Sequence, residues 1–258
     1  MLDEGSSTVP RYAETARVGR DLSLTDRVIR VFGGTLNLLA LGTAVSIFAQ
    51  HLQAALHPTL IVILLLAFVV GTFAADLVTG LLHWAFDTWF SPHNGIFRRM
   101  VAIVRDHHVR PHGIFSFRFG TDMGVLSWFG AIGAFVLLLV TQPLASSDSL
   151  VCGFSFSAIV FSVNVSLMYE HHKWGHRRER GPIARIAQRL GLLLSPDHHL
   201  QHHRGTHDSH YCLVNGMADR TLGSVGLFRG LERVITAMTG VVPRADDHAT
   251  LARVGQHS

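Results

Sequence analysis

The sequence predicts an all-α integral membrane protein, with four transmembrane helices arranged as two hairpins beneath a cytosolic, histidine-rich helical cap, on three observations. First, the mean hydropathy is +0.30, with 48% hydrophobic and only 16% charged residues, whereas a soluble domain carries about 25% charged residues. Second, all 22 lysines and arginines of the 258-residue chain fall within 11–30, 98–118 and 173–253, so that 31–97 and 119–172 contain none. Each gap is too long for one membrane helix of about 20 residues and long enough for two. Third, most histidines cluster just after these two gaps.

The elements follow in chain order. Residues 1–30 are polar and mixed in charge, with no apolar core of a cleavable signal, and read as a mobile cytosolic arm. Residues 31–258 read as one membrane domain. Its first span, about 31–50 (VFGGTLNLLALGTAVSIFAQ), is diluted by Asn37 and small residues, and HLQAALH turns the chain into a second span at about 58–82. Within that span Asp76 is the one acidic residue at mid-depth. The third and fourth spans, about 123–141 and 150–169, are separated by QPLASSD. Neither short turn contains Lys or Arg, so the positive-inside rule puts both termini and the cap, 83–122 and 170–258, in the cytosol. That membrane would be the inner membrane in a bacterium or the endoplasmic reticulum in a eukaryote. In SVGLFRGLERVITAM, Leu227, Leu231, Val234, Ile235 and Met238 share one helical stripe. The stripe suits either a membrane surface or a packing face of the cap.

A pI near 9.7 and a net charge of +4 do not indicate nucleic acid, because the basic residues are dispersed without stacking aromatics. Anionic lipid is the better-matched partner. Cys152 and Cys212 form neither a disulfide framework nor a CxxC pair. Any metal must therefore be held by histidine and carboxylate.

The spacing of the histidines supports that chemistry, since residues three and four apart share a helix face. His172 and His176 are i and i+4; His199, His202 and His203 are i, i+3 and i+4, and each set is expected to converge on one point. His107 and His108 are adjacent, so they diverge on a helix and either serve two metals or sit where the helix frays. His83 ends the second span with Asp87 one turn on, where an ionisable pair is a functional signal; Asp87 would ligate or orient a ligand. Eight imidazoles exceed the four of one zinc and suit two metals of higher coordination number, with a di-iron centre the natural candidate. His198, His207 and His210 lie in the same dense run, and each either assists or stands apart. His51, His57, His93, His112, His248 and His257 read as ordinary polar side chains.

The motifs HWAFDTW, RDHHVRPH, HKWGH, SPDHHLQHHRGTHDSHYCLVNG and GLFRGLERVITAMTGVVPRADD resemble, over roughly residues 60–250, the lipid desaturase family. That family includes animal plasmanylethanolamine desaturase (Kua), bacterial CarF-like relatives and a plastid phosphatidylglycerol desaturase. The resemblance implies two iron ions, oxygen as co-substrate and removal of two hydrogens from a phospholipid chain, yielding in one branch the vinyl ether bond of plasmalogens. It places metal ligands at His83, His107, His108, His172, His176, His199, His202 and His203, with His207 matching a further family histidine and Asp87 and His198 as additional ligands or supports. Phe90 replaces a usual Gly, Asp106 a usual Glu, and His171 and His210 are extra; PRADD leans toward the plasmanylethanolamine branch.

No CxxCH, GxGxxG or ferredoxin-type cysteine run is present, so electrons would come from a separate reductase and a cytochrome b5-like or ferredoxin-like carrier. Arg105, Arg110, Lys173 and Arg177 would dock that carrier or a phosphate headgroup, or serve as positive-inside anchors. Other readings are an acyl-chain desaturase, a membrane fatty-acid or sterol hydroxylase, a metal transporter and a zinc hydrolase. Transport is disfavoured because the ligands sit at the ends of the spans, and hydrolysis by the absence of HExxH and GxSxG.

Overall fold

The computed structural model of the protein describes residues 24–91, 98–116, 124–177, 181–204 and 207–244, and among these it is all-helical, with no strand. The predicted arm up to residue 23, and with it His93, His248 and His257, lies outside the described residues.

Four helices are long and apolar enough to cross a membrane: α1 (Leu24–Ala55), α2 (Thr59–Thr88), α4 (Gly124–Thr141) and α5 (Asp148–Ser166). The first starts seven residues before the span expected at 31, and the second runs six beyond residue 82, which brings His83 and Asp87 inside helix α2. Helix α1 lies along α4 and α5, α4 packs on α5, and α2 packs on α5. The α1–α2 pair therefore meets mainly around its turn, where Phe48, Leu52, Leu60 and Leu64 gather with Ala55 and Cys152.

Small residues set this packing. Ala40, Ala44, Ala75, Ala131, Ala134 and Ala158 are all fully buried in the bundle core, while Leu38, Leu39, Leu65, Leu66 and Leu139 point outward. In lipid, helices gain little by hiding leucine from leucine and associate through close contact of small residues and through polar pairs. Asn37, which dilutes the first span in sequence, supplies such a pair: its Oδ1 accepts from Ser162 Oγ at 2.7 Å and its Nδ2 donates to Ser166 Oγ at 2.7 Å.

Shorter helices gather where α2 and α5 end. Helix α3 (Arg98–Val109) contacts α2, and a 3-10 turn, Pro111–Ser116, contacts α6 (Met168–His176), which packs on α8 (Pro196–His202). Ser195 caps α8, its Oγ accepting from His198 N at 3.2 Å, and Pro196 occupies the first turn, where a missing N–H costs nothing. The SPDHHLQHH run is thereby a helix start as well as a histidine run. Helix α7 (Pro182–Arg189) buries Gln188 and exposes Ile183 and Ile186.

Helix α9 (Leu227–Thr239) carries the stripe noted in the sequence. Leu231 and Ile235 pack with Trp84, Tyr211 and Phe228, and Val234 and Met238 stay exposed. The packing role thus accounts for two of the five stripe residues. Arg244 closes this corner: its guanidinium donates to both Glu232 carboxylate oxygens, to Thr88 Oγ1 and to Tyr211 OH at 2.8–3.2 Å, and its N–H donates to Thr88 O. Trp84 Nε1 donates to the same Glu232. The end of α2 that carries His83 and Asp87 is in this way clamped to α9.

Candidate metal centre

The eight predicted imidazoles and Asp87 form two donor groups. His107, His172, His176, His199 and His203 make one, and His83, Asp87, His108 and His202 the other; in each group the ligand atoms lie within 4.8 Å of one another. Helix α3 contributes one histidine to each group, and α8 with the residue that follows it gives two to the first and one to the second, because neighbours on a helix diverge by about 100°. This corrects the expectation for HLQHH: His199 and His203, a turn apart, converge on the first group, while His202 turns to the second. The two groups abut, with ring centroids of His202 and His203 5.5 Å apart and of His83 and His172 6.1 Å apart.

The five-imidazole group is not explained by hydrogen bonds. His199 Nε2 lies 2.8 Å from His172 Nε2, 2.8 Å from His176 Nε2 and 3.0 Å from His203 Nε2, and His176 Nε2 lies 2.9 Å from His107 Nε2. One nitrogen carries at most one proton, so it cannot satisfy three nitrogens at once. Ligands at right angles on bonds of about 2.1 Å stand about 3 Å apart, which is the spacing observed. Burial is the main reason these rings stay neutral: it pushes His107, His172 and His199 well below the usual 6.5, each then lowered further by neighbouring imidazoles. It takes His176 to about 4 and His203 to about 3. Neutral rings are the form that binds metal.

In the second group the tautomers are set from outside. His83 Nδ1–H donates to Tyr211 O at 3.0 Å and His202 Nδ1–H to Ser209 O at 2.8 Å, which leaves both Nε2 atoms as bare lone pairs. Those lone pairs face Asp87 Oδ2 at 3.4 and 3.5 Å, and His108 Nε2 lies 3.0 Å from His202 Nε2 and 3.6 Å from Asp87 Oδ1. Two acceptors aimed at a buried carboxylate repel unless a cation lies between them. Both donor sets, nitrogen-rich with one carboxylate, fit a divalent first-row metal, and five imidazoles in one group exceed tetrahedral zinc.

The remaining predicted residues lie outside the two groups. His207 stacks face to face on His108, with centroids 4.0 Å apart. His198 Nε2–H donates to Asp219 Oδ2 at 3.0 Å, and the His210 ring packs edgewise on it. Lys173, expected to dock a headgroup or carrier, is instead buried and donates to Glu170 at 2.6 Å. Arg110 pairs with Asp106, Arg105 donates to Phe90 O, and the exposed Arg177 lies over the Trp174 ring.

A cavity of about 320 Å³ opens onto the site, with His83, His107 and His172 in its wall. The cavity thus touches both groups. Leu82, Phe86, Met100, Ile103, Val104 and Ile114 give it an apolar wall, with Asp106 and Arg110 also in the lining.

Residues 72–246 match the lipid desaturase domain. The chain belongs to the lipid desaturase family. The motifs had pointed to this family, and the matched segment contains both donor groups. Among curated relatives, the chain is 32% identical over 186 residues to the plasmanylethanolamine desaturase of Myxococcus xanthus, covering 72% of this chain and 65% of that protein. It is 30% identical over 177 residues to fatty acid desaturase 4-like 2, chloroplastic, of Arabidopsis thaliana, covering 68% and 61%. To plasmanylethanolamine desaturase 1 of Mus musculus it is 29% identical over 195 residues, covering 72% and 69%. The chain thus spans somewhat less than two thirds of the first two relatives. No solved structure matches it.

Several residues that shape these donor groups are not singled out by the histidine spacing. Tyr211 and Ser209 act through backbone carbonyls, and Asp219 and Glu232 support the site from outside the histidine motifs.

Proposed function

We propose that the protein is a membrane di-iron lipid desaturase that converts the 1-O-alkyl chain of an ether phospholipid into a vinyl ether. The observation that carries this reading is the apolar cavity whose wall includes donors from both groups. Leu82, Phe86, Met100, Ile103, Val104 and Ile114 give an alkyl chain an apolar wall, and Asp106 and Arg110 stand at the same cavity for a polar headgroup.

In this reading the two groups hold two iron ions, nine donors in all. The metal pair supplies the oxygen-dependent oxidation that the protein's own side chains cannot. The balanced reaction takes one CH2–CH2 unit, one O2, two electrons and two protons to one CH=CH unit and two waters. The electrons come from a separate reductase and carrier. Phe86, Ile103 and Val104 hold the chosen carbons beside His83, His107 and His172 and exclude water, since position sets which carbons react. Residues 98–118 and 173–253, which hold the basic residues beyond the N-terminal arm, then lie with both termini in the cytosol.

The similar identities to ether-lipid and plastid desaturases make acyl-chain desaturation the competing reading. Expression in a host with alkyl ether phospholipids and no plasmalogens, beside its His202→Ala variant, separates them by lipid mass spectrometry. The proposal expects an acid-labile ether lipid two hydrogens lighter, formed only by the intact chain. Loss of two hydrogens from an ester-linked chain would replace the substrate; an added oxygen would make the protein a hydroxylase.

A further inference from the structure

A carboxylate in the middle of a membrane-spanning helix needs partners, and Asp76 finds them in a distant loop. Its Oδ1 accepts N–H groups from Val214, Asn215 and Gly216 at 2.9–3.1 Å, and its Oδ2 accepts Ala218 N–H at 2.9 Å. Asp76 is fully buried. Four backbone donors wrap one side chain, so the segment 214–218 is moulded around a group on α2.

The approach is close. A Cβ at Gly80, one turn beyond Asp76, would stand 2.4 Å from Cys212 Sγ, so glycine there lets the loop lie against α2. Gly216 adopts φ +73°, and a Cβ on it would lie 2.5 Å from His198 Nε2. A second carboxylate secures the same segment, Asp219 Oδ2 accepting from both Cys212 N and His198 Nε2.

What this loop delivers is the pair of carbonyls, Ser209 O and Tyr211 O, that orient His202 and His83. Helix α2 therefore carries His83 and Asp87 directly and, through Asp76, fixes the strand of backbone that sets the tautomers of two of the three histidines in that group. The first group receives no such bond from this loop; the Nδ1 atoms of His107, His199 and His203 have no hydrogen-bond partner among the described residues.

We propose that Asp76 is a positioning residue for one of the two metal sites, that of His83, Asp87, His108 and His202, acting through the loop 209–218. This rests on the di-metal reading above. Loss of such outer support costs about 10- to 100-fold in metal affinity, and the loss is selective: Asp76→Asn retains one acceptor oxygen and faces the N–H groups with an amide.

The test is iron content per chain of the purified, iron(II)-reconstituted protein, together with backbone amide exchange in the 209–219 segment. The proposal expects two irons in the parent, one in Asp76→Asn, one in His176→Ala/His199→Ala, which strips two of the five imidazoles from the other group, and none when all three substitutions are combined. It also expects the amides of 214, 215, 216 and 218 to be strongly protected in the parent and at least about ten-fold faster in Asp76→Asn, the scale of losing a charged acceptor. Two irons retained in Asp76→Asn, or both lost from a protein that remains folded, would overturn it. So would rapid exchange of these amides in the parent protein, a result independent of whether the variant folds. A parent that binds no iron but shows the protected amides would overturn the metal role and the di-metal reading together, while leaving the anchor in place.

Discussion

His107 and His108 are consecutive in the chain and face different donor groups, with ring centroids 6.4 Å apart. Adjacent residues on a helix point about 100° apart, so α3 stands between the two groups and supplies a ligand to each.

From that division comes a metal-counting prediction. His107→Ala removes one of five imidazoles and His108→Ala one of three, so the second substitution strips its group more completely. Metal analysis is expected to give close to one iron per chain for His108→Ala, with an intermediate value for His107→Ala. Equal and complete loss of both irons in each variant would mean a single shared site.

The depressed histidines predict a pH dependence of stability in the metal-free protein. The folded state holds His176 and His203 neutral down to about 4 and about 3, whereas the unfolded chain takes up protons near 6.5. Protons therefore favour unfolding once the pH falls below about 6.5. Stability is full above that value and is lost toward pH 4 at up to about 1.4 kcal/mol per pH unit for each such group. Denaturation measured between pH 8 and pH 5 checks the sign, and a His176→Ala/His203→Ala chain is expected to show a shallower slope.

The cavity predicts a separation of substrate positioning from metal binding. Ile103 and Val104 line it from α3 without donating to either group. Val104→Trp is expected to lower turnover at least ten-fold, a barrier change of about 1.4 kcal/mol, with iron content unchanged. A variant with unaltered turnover would place the substrate elsewhere.

How much of this was legible in the sequence depended on whether the contact was local. The four long helices follow from Lys- and Arg-free stretches, and the pairing of His172 with His176 and of His199 with His203 from helical periodicity. His202 was misassigned because i+3 and i+4 neighbours look alike in sequence, and only the facing helices decide between them. Asn37 weakened the first span on paper, although Ser162 and Ser166, more than a hundred residues away, satisfy it. Asp76 stood out as a mid-span acid, but its four donors are backbone amides of a loop some 140 residues on. Backbone donors have no residue type and leave no motif. Lys173 reads in sequence as a docking cation or a positive-inside anchor, while its burial against Glu170 is set by tertiary packing.

The measurement that tests the central claim most directly is product analysis with the purified, iron-loaded protein, a reductase with its carrier, oxygen, and a 1-O-alkyl phospholipid carrying deuterium on the first two carbons of its alkyl chain. The account predicts a vinyl ether lipid that has lost one label from each carbon and gained no oxygen. Unchanged ether lipid, or a product with both labels retained, would contradict it.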